Sequence, residues 1–171
     1  EEISALRVNA RIHIEVDTGM NRGGFLDEWP ELLKADLSFV DVVGFFSHFA
    51  RADEPEQSQN LDQINRFNEM LAQLVSVGIN PPVKHLSNSA ATLKNHQAAF
   101  DLVRTGIAMY GLSPDVKTLG GSASLGLKPA MQLRAKLHMV KHVPAGSPIG
   151  YGASAVTEFD TQLGIVAMGY A

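Results

Sequence analysis

The sequence predicts an α/β fold: the C-terminal half of a (β/α)8 barrel of the TIM type, followed by the start of an all-β domain. Three observations predict it. Four β-run, loop, helix units follow one another up to residue 112, which implies parallel strands joined by right-handed crossovers. The stretch Asp101-Leu-Val-Arg-Thr-Gly-Ile-Ala-Met-Tyr-Gly-Leu-Ser113 reads as a strand that breaks at Gly106 and hands over to a short helix. Barrels build phosphate sites from such turns after their last strands. Beyond residue 126 helical periodicity gives way to alternation. Four units make half a barrel, and 171 residues fall short of the roughly 250 of a whole one. An open parallel sheet is the rival architecture, but an isolated half barrel leaves strand edges unpaired.

The first strand is marked by Ile12, Ile14 and Val16 alternating with His13, Glu15 and Asp17. In a barrel the apolar set faces the surrounding helices and the polar set the interior. The run ends in the loop Asp17-Thr-Gly-Met-Asn-Arg-Gly-Gly-Phe25, with Arg22 at its centre, and a helix over 29–37 is begun by Pro30. A second strand over 39–46 is almost continuously apolar, as a strand covered on both sides should be, and it ends in Ser47-His-Phe-Ala-Arg-Ala-Asp53. Apolar residues at Leu61, Ile64, Phe67, Leu71, Leu74 and Val75 predict a helix over 57–77 that closes at Gly78. Pro81-Pro82 resets the chain before a third β run, Val83-Lys-His-Leu-Ser-Asn-Ser89, and a short helix over 90–97 leads to the fourth, which carries Arg104. Residues 113–126, rich in Gly, Ser and Pro, read as a linker. Further β runs at 131–143, 149–154 and 163–167 are separated by the turn Pro144-Ala-Gly-Ser-Pro148. The domain reading is therefore a barrel portion over 1–126 and the start of a β domain over 127–171.

Composition narrows the function classes. Hydrophobic residues at 45% and charged residues at 19% describe a soluble globular protein, expected in the cytoplasm. A net charge of −4 gives no reason to expect nucleic acid or an anionic membrane as partner. The absence of cysteine excludes disulfides and thiolate chemistry. No apolar run approaches the ~20 residues that span a bilayer. The chain opens on Glu-Glu-Ile-Ser and stops at Met168-Gly-Tyr-Ala171 directly after a strand-like run, so both ends read as cuts in something longer.

The strand, glycine and helix around Arg104 also suggest an anion site. Backbone N–H groups at Gly106 and Ile107, in the first turn of the helix, favour a phosphate, and Arg104 adds a cation beside it. The same letters describe an ordinary βα turn.

A resemblance sharpens this reading. Val16-Asp-Thr-Gly-Met-Asn-Arg22, Ser47-His-Phe-Ala50 with Ala52-Asp-Glu54, and His85-Leu-Ser-Asn-Ser-Ala-Ala91 resemble signature blocks of the bacterial alanine racemases. So do Val103-Arg-Thr-Gly-Ile-Ala-Met-Tyr-Gly-Leu112, Ile149-Gly-Tyr-Gly-Ala153 and Met168-Gly-Tyr-Ala171. The six blocks occur in the family's order and cover nearly the whole chain, beginning around the family's fifth barrel strand. The resemblance implies a pyridoxal 5′-phosphate (PLP) barrel followed by a β domain. It implies conversion of L-alanine to D-alanine for peptidoglycan precursors by two bases, in a homodimer whose active site is shared between subunits. The family's cofactor-bonding lysine lies on its first barrel strand, in a block that nothing in this chain matches, and none of the lysines here takes its place.

The resemblance also implies roles. Arg104 faces the pyridine nitrogen, and because an arginine stays protonated it only donates to that nitrogen, which keeps the ring a restrained electron sink. Ser89, Gly106, Ile107 and Tyr110 hold the phosphate. From the residues alone Ser89 is equally a helix N-cap. His85 braces Arg104 from behind, and His48 is an orienting group with no further His or carboxylate at metal-ligand spacing. Tyr151 is the base that the partner's β domain supplies on the face opposite the lysine, a role that needs neighbouring positive charge; without the motif it reads as a half-buried strand tyrosine. Arg22 holds the substrate carboxylate. Glu15 stands where a common version of the family has a carbamylated lysine, and we read it as supplying that anion directly. Gly23 stands where leucine is commoner, and Tyr170 lies near the substrate entrance. Two other readings stay open: a non-catalytic PLP-binding fragment, and a racemase of another amino acid such as serine. A barrel-type decarboxylase is disfavoured by Tyr151.

Overall fold

Strand β1, Ala10–Glu15, keeps its alternation: Ile14, and Val16 just beyond it, are buried while His13 and Glu15 lie on the other face. The computed structural model describes residues 10–169, which fall into two compact units divided between Ala130 and Met131.

In the first unit β1 pairs in parallel with β2, Val40–Phe46, and β2 pairs in parallel with β3, Val83–His85, giving the order β1-β2-β3. The β1–β2 register skips one residue, because Ile12 faces Val42 whereas His13 faces Gly44. Parallel neighbours require crossovers, and helices supply them. Helix α1, Trp29–Leu32, has Pro30 in its first turn. It is shorter than the expected span to residue 37, since the Asp36 carboxylate accepts from the Ser38 N–H (2.9 Å) and turns the chain out of the helix. Helix α2, Ser58–Ser76, is the long amphipathic one and buries Ile64, Phe67, Met70 and Leu74 on one face. Helix α3, Ser89–Lys94, ends at Asn95 and gives way to a 3₁₀ turn, His96–Ala98, where one helix over 90–97 was expected. Its N-cap is Asn88, whose side chain accepts from the Ala91 N–H (3.1 Å), so Ser89 is released from capping.

The expected fourth strand is not one. Only the Asp101 and Arg104 N–H groups bond to the neighbouring chain, at Lys84 O and Ser87 O (both 3.0 Å). The reason is local: the Asp101 carboxylate takes the Lys84 N–H (2.8 Å) that a ladder would give to a backbone carbonyl, so the segment runs extended beside β3 without forming a strand. The expected linker is also partly built. Helix α4, Val116–Leu119, is capped by the Asp115 carboxylate and buries Leu119 in the core.

The core joins these layers through aromatic rings. Trp29, Phe45, Phe67 and Phe100 form a chain with centroids 6.1, 4.8 and 4.9 Å apart, and Phe45 and Phe67 are wholly buried.

The second unit is built of short antiparallel pairs. Strand β4, Leu137–Val143, pairs with β7, Thr161–Val166, and β5, Pro148–Ile149, pairs with β6, Ala155–Val156. Thr157 pins the turn between them: its hydroxyl donates to Pro144 O (2.7 Å) and accepts from the Ser147 N–H (2.9 Å). No helix among the described residues is long and apolar enough to cross a membrane.

Phe67 touches both Phe45 and Phe100 at the centre of the first unit. Phe67→Ala should therefore cost about 3–5 kcal/mol, read as a lower urea midpoint; a loss below about 1 kcal/mol would mean that the aromatic chain is not the core.

Candidate functional site

The site is assembled at the C-terminal ends of the three parallel strands, where the loops that follow them converge. Arg104 reaches back from the extended segment after Asp101 and lays its half-buried guanidinium across the ends of β2 and β3. Its Nη1 donates to His85 Nδ1 and to His85 O (3.2 Å). Its Nη2 donates to Ser47 O (2.7 Å), with His48 Nδ1 (3.2 Å) and Leu86 O (3.4 Å) within reach of the same nitrogen. The Phe46 ring lies beneath, its centroid 5.5 Å from Cζ. An arginine carries five N–H donors. The four terminal ones have acceptors here, and the Nε–H has none among the described residues.

Two histidines serve this cation as neutral acceptors. His85 is buried and stacks on Phe46 with ring centroids 4.8 Å apart. Burial first, then the charge of Arg104, then His13 push its pKa down to about 4. On its far side, His85 Nε2 lies 2.9 Å from His13 Nδ1. Burial, followed by the charges of Arg104 and Arg22, lowers the pKa of His48 as well. The Arg104 pKa is itself lowered, by burial above all; the charge of Glu15 opposes that shift and the charge of Arg22 adds to it.

Beside the guanidinium, the Ser89 hydroxyl oxygen accepts from the Gly106 N–H (2.9 Å) and the Ala108 N–H (3.3 Å). Both bonds use oxygen lone pairs, so the hydroxyl hydrogen remains to donate. The Ile107 N–H, in the first turn of the 3₁₀ segment Ile107–Tyr110, has no protein acceptor among the described residues. His48, Ser89, Arg104, Gly106 and Ile107 line one cleft of about 300 Å³ together with Asn88, Ala90, Asp53 and Pro114. Tyr110 follows at the end of the same turn, with its side chain exposed.

The Arg22 loop is held from below. The Asp17 carboxylate accepts from the N–H groups of Gly19, Met20 and Asn21 (2.8, 3.0 and 3.1 Å). These bonds lower its pKa although burial pushes the other way. Gln63, 1% exposed on α2, ties this loop to the next one. Its Nε2 donates to Thr18 Oγ1 (3.0 Å) and His48 O (2.9 Å), and its Oε1 accepts from the Ala50 N–H (2.9 Å). Arg22 itself is exposed, and Glu15 sits beneath Gly23, its Oε2 3.7 Å from where a Cβ on that glycine would stand. Among the described residues no ion pair within 4.0 Å joins Glu15 to Arg22. No group of three His, Cys, Asp or Glu side chains that could hold a metal occurs among the described residues.

Two family models match the chain: the alanine racemase N-terminal domain over residues 1–114 and the alanine racemase C-terminal domain over residues 130–171. The chain belongs to the alanine racemase family. An alanine racemase of Salinispora arenicola is 44% identical over 168 residues, which are 95% of this chain and 44% of that protein. The crystal structure of alanine racemase from D-cycloserine-producing Streptomyces lavendulae superposes with a TM-score of 0.86 at 45% identity, covering 95% of this chain and 44% of that one. The alanine racemase structure from Streptomyces coelicolor A3(2) gives 0.86 at 43% identity, with the same coverage of 95% and 44%. The chain thus spans under half the length of the relatives that it matches. Its fold is that of the family, the later part of a TIM-type barrel followed by the start of the β domain.

Tyr151, singled out from the alanine racemase resemblance, belongs to the second unit. Tyr151 opens a 3₁₀ turn rather than lying in a strand, and it is 92% exposed on its unit. Gly150 and Gly152 flank it with φ of 69° and 71°, a backbone conformation that residues with a Cβ rarely adopt. Tyr170 lies outside the described residues. Sequence reasoning missed Asp17 as the organiser of its loop, Gln63 and His13. The Asp-Thr-Gly spacing signals the first, because Asx turns recur at such sites. A glutamine on an apolar helix face gives no comparable signal, and its role needs the fold to be seen.

The buried His85 makes stability depend on pH. Its folded pKa of about 4 lies below the ordinary 6.5, so the unfolded chain binds the proton first as pH falls. Its contribution is fully present above pH 6.5 and is lost as pH falls through about 4, on the order of 3 kcal/mol over that window. Urea midpoints at pH 7.5 and 4.5 should differ accordingly, and His85→Gln should flatten the difference; an unchanged slope in the variant would assign the effect elsewhere.

Proposed function

We propose that residues 1–126 and 127–171 are the barrel portion and the opening of the β domain of a PLP-dependent alanine racemase, which interconverts L- and D-alanine for peptidoglycan precursors. In this reading the enzyme works in the cytoplasm as a homodimer whose partner subunit completes each site. The observation that carries the reading is the set of leftover donors around one cleft. Among the described residues the Arg104 Nε–H, the Ser89 hydroxyl hydrogen and the Ile107 N–H lack acceptors while their neighbours are satisfied. A planar group with an aromatic nitrogen at one end and a phosphate at the other uses all three, so the residues fit PLP.

Each residue then has a task. Arg104 donates its Nε–H to the ring nitrogen and, being unable to give up its proton near neutral pH, leaves that nitrogen unprotonated. His48 and His85 hold the guanidinium in place as neutral acceptors. Ser89, Gly106, Ile107 and Tyr110 form the phosphate cradle, with Gly106 acting through its bond to the Ser89 oxygen. Bound in this cleft, PLP supplies the electron sink that lowers the cost of removing the amino acid's Cα proton. Arg22 binds the substrate carboxylate, and Glu15 supplies the nearby negative charge that orients it. Tyr151 of one subunit takes the proton from L-alanine, and returns one when L-alanine is formed, on one face of the partner's site. The lysine in the family's first barrel block, which this chain does not match, serves the other face. Tyr170 borders the substrate entrance.

The test uses the full-length protein loaded with PLP in D2O, starting from each enantiomer separately. Racemisation of alanine by the parent is expected. Tyr151→Phe should slow deuterium exchange from L-alanine by roughly 10²-fold or more, and exchange from D-alanine by far less. A parent that does not racemise alanine overturns the function, and equal losses from both enantiomers overturn the role of Tyr151.

A further inference from the structure

His13 was singled out from the sequence only as an interior-facing polar residue, yet three features of the fold are built around its ring. The first is the register skip between β1 and β2, which falls between Ile12 and His13 and leaves Val43 unpaired with β1. Such bulges bend a strand and re-aim one side chain. The second is Gly44, which faces His13 across the ladder. A Cβ there would stand 2.1 Å from His13 Nδ1 and 2.4 Å from both Cγ and Cε1. Gly44 does not have a positive φ, so space for the imidazole, not backbone conformation, explains a glycine inside a strand that is apolar apart from Asp41. The third is the contact itself, His13 Nδ1 to His85 Nε2 at 2.9 Å, with ring centroids 5.1 Å apart.

Donor and acceptor chemistry fixes where the protons are. Arg104 has donors only, so His85 Nδ1, which faces it, must present a lone pair. The single proton of neutral His85 then sits on Nε2 and needs an acceptor on that side. His13 Nδ1 is that acceptor. Without it, the alternative tautomer of His85 turns an N–H toward the guanidinium and costs Arg104 one of its acceptors.

We propose that His13 is a positioning residue of the racemase: by accepting from His85 Nε2 it holds the tautomer that keeps the Arg104 guanidinium fixed at the cofactor-ring end of the cleft. His13 itself touches neither cofactor nor substrate. The inference rests on the PLP reading above.

The test is the dissociation constant of PLP from the full-length protein, measured by titrating the cofactor-free form with PLP. His13→Ala should weaken binding about tenfold, one hydrogen bond of about 1.4 kcal/mol. His13→Asn, whose Oδ1 stands close to the place of Nδ1 and accepts the same bond, should stay within about threefold of the parent. Gly44→Ala should match His13→Ala because its Cβ displaces the ring, and adding it to His13→Ala should cost nothing further. Melting temperatures of all four variants report folding separately, and the Asn variant against Gly44→Ala carries the test should His13→Ala not fold. The proposal is overturned if His13→Ala binds PLP as tightly as the parent, or if Asn and Ala weaken binding equally. A parent that takes up no PLP overturns the functional reading and this inference with it; a parent that does, with an unaffected His13→Ala, overturns this inference alone.

Discussion

A guanidinium half-buried at the ends of parallel strands is the constraint from which the rest of the site follows. A buried charge is tolerated only when its hydrogens meet acceptors. Here they come from the carbonyls of Ser47, His85 and Leu86, at and just beyond the ends of β2 and β3, and from two imidazole nitrogens. Parallel strands offer this naturally, since all their C-terminal ends lie on one side. Phe46 completes the seat by presenting its ring to both Arg104 and His85. Moving Arg104 would therefore strand several acceptors at once, and the cation is in effect part of the sheet end rather than a mobile surface charge.

The loops that carry Arg22 and His48 depend on a different device. Gln63 reaches both from α2, and Thr18 Oγ1 lies 2.8 Å from Ser47 Oγ, so the loop after β1 and the loop after β2 share hydrogen-bond partners. Gln59, one turn earlier on the helix, donates to Gly19 O (3.1 Å). A helix that packs on the sheet through Phe67 and Leu74 thus also sets the spacing of the loops above it. Core packing and site geometry are one problem here, because shifting α2 moves both loops together.

How much of this the sequence discloses depends on the range over which each feature acts. The alternation of β1 and the apolar stripe of α2 are local periodicities, and both elements fall close to where the pattern puts them. The segment after Asp101 looks like a strand by composition. Whether it pairs is decided by one carboxylate capturing the Lys84 N–H seventeen residues away in sequence, which no window of local pattern contains. Asn88 and Ser89 are both good capping residues, and only geometry tells that the first caps while the second serves Gly106 and Ala108. The bulge at Val43 leaves no compositional mark, although Gly44 beside it does. The residues around Arg104 were legible as a group because six motif blocks occur in order, whereas Gln63 and His13 act through contacts between distant segments.

The choice of histidine as partner to Arg104 has a physical rationale. A carboxylate at position 85 would bind the guanidinium more strongly, but it would also neutralise the charge that a ligand in the cleft is to feel. Two protonated histidines would add repulsion to Arg104 and Arg22. Neutral imidazoles avoid both, satisfying N–H donors without cancelling their field, and burial beside the charge of Arg104, with that of Arg22 added at His48, is what keeps them neutral. Glu15 is then the anion whose charge acts on Arg104 without bonding to it. The cleft keeps the charge of Arg104 uncancelled, as the proposed phosphate-bearing ligand requires, and the side chains around it shape that field while leaving it in place.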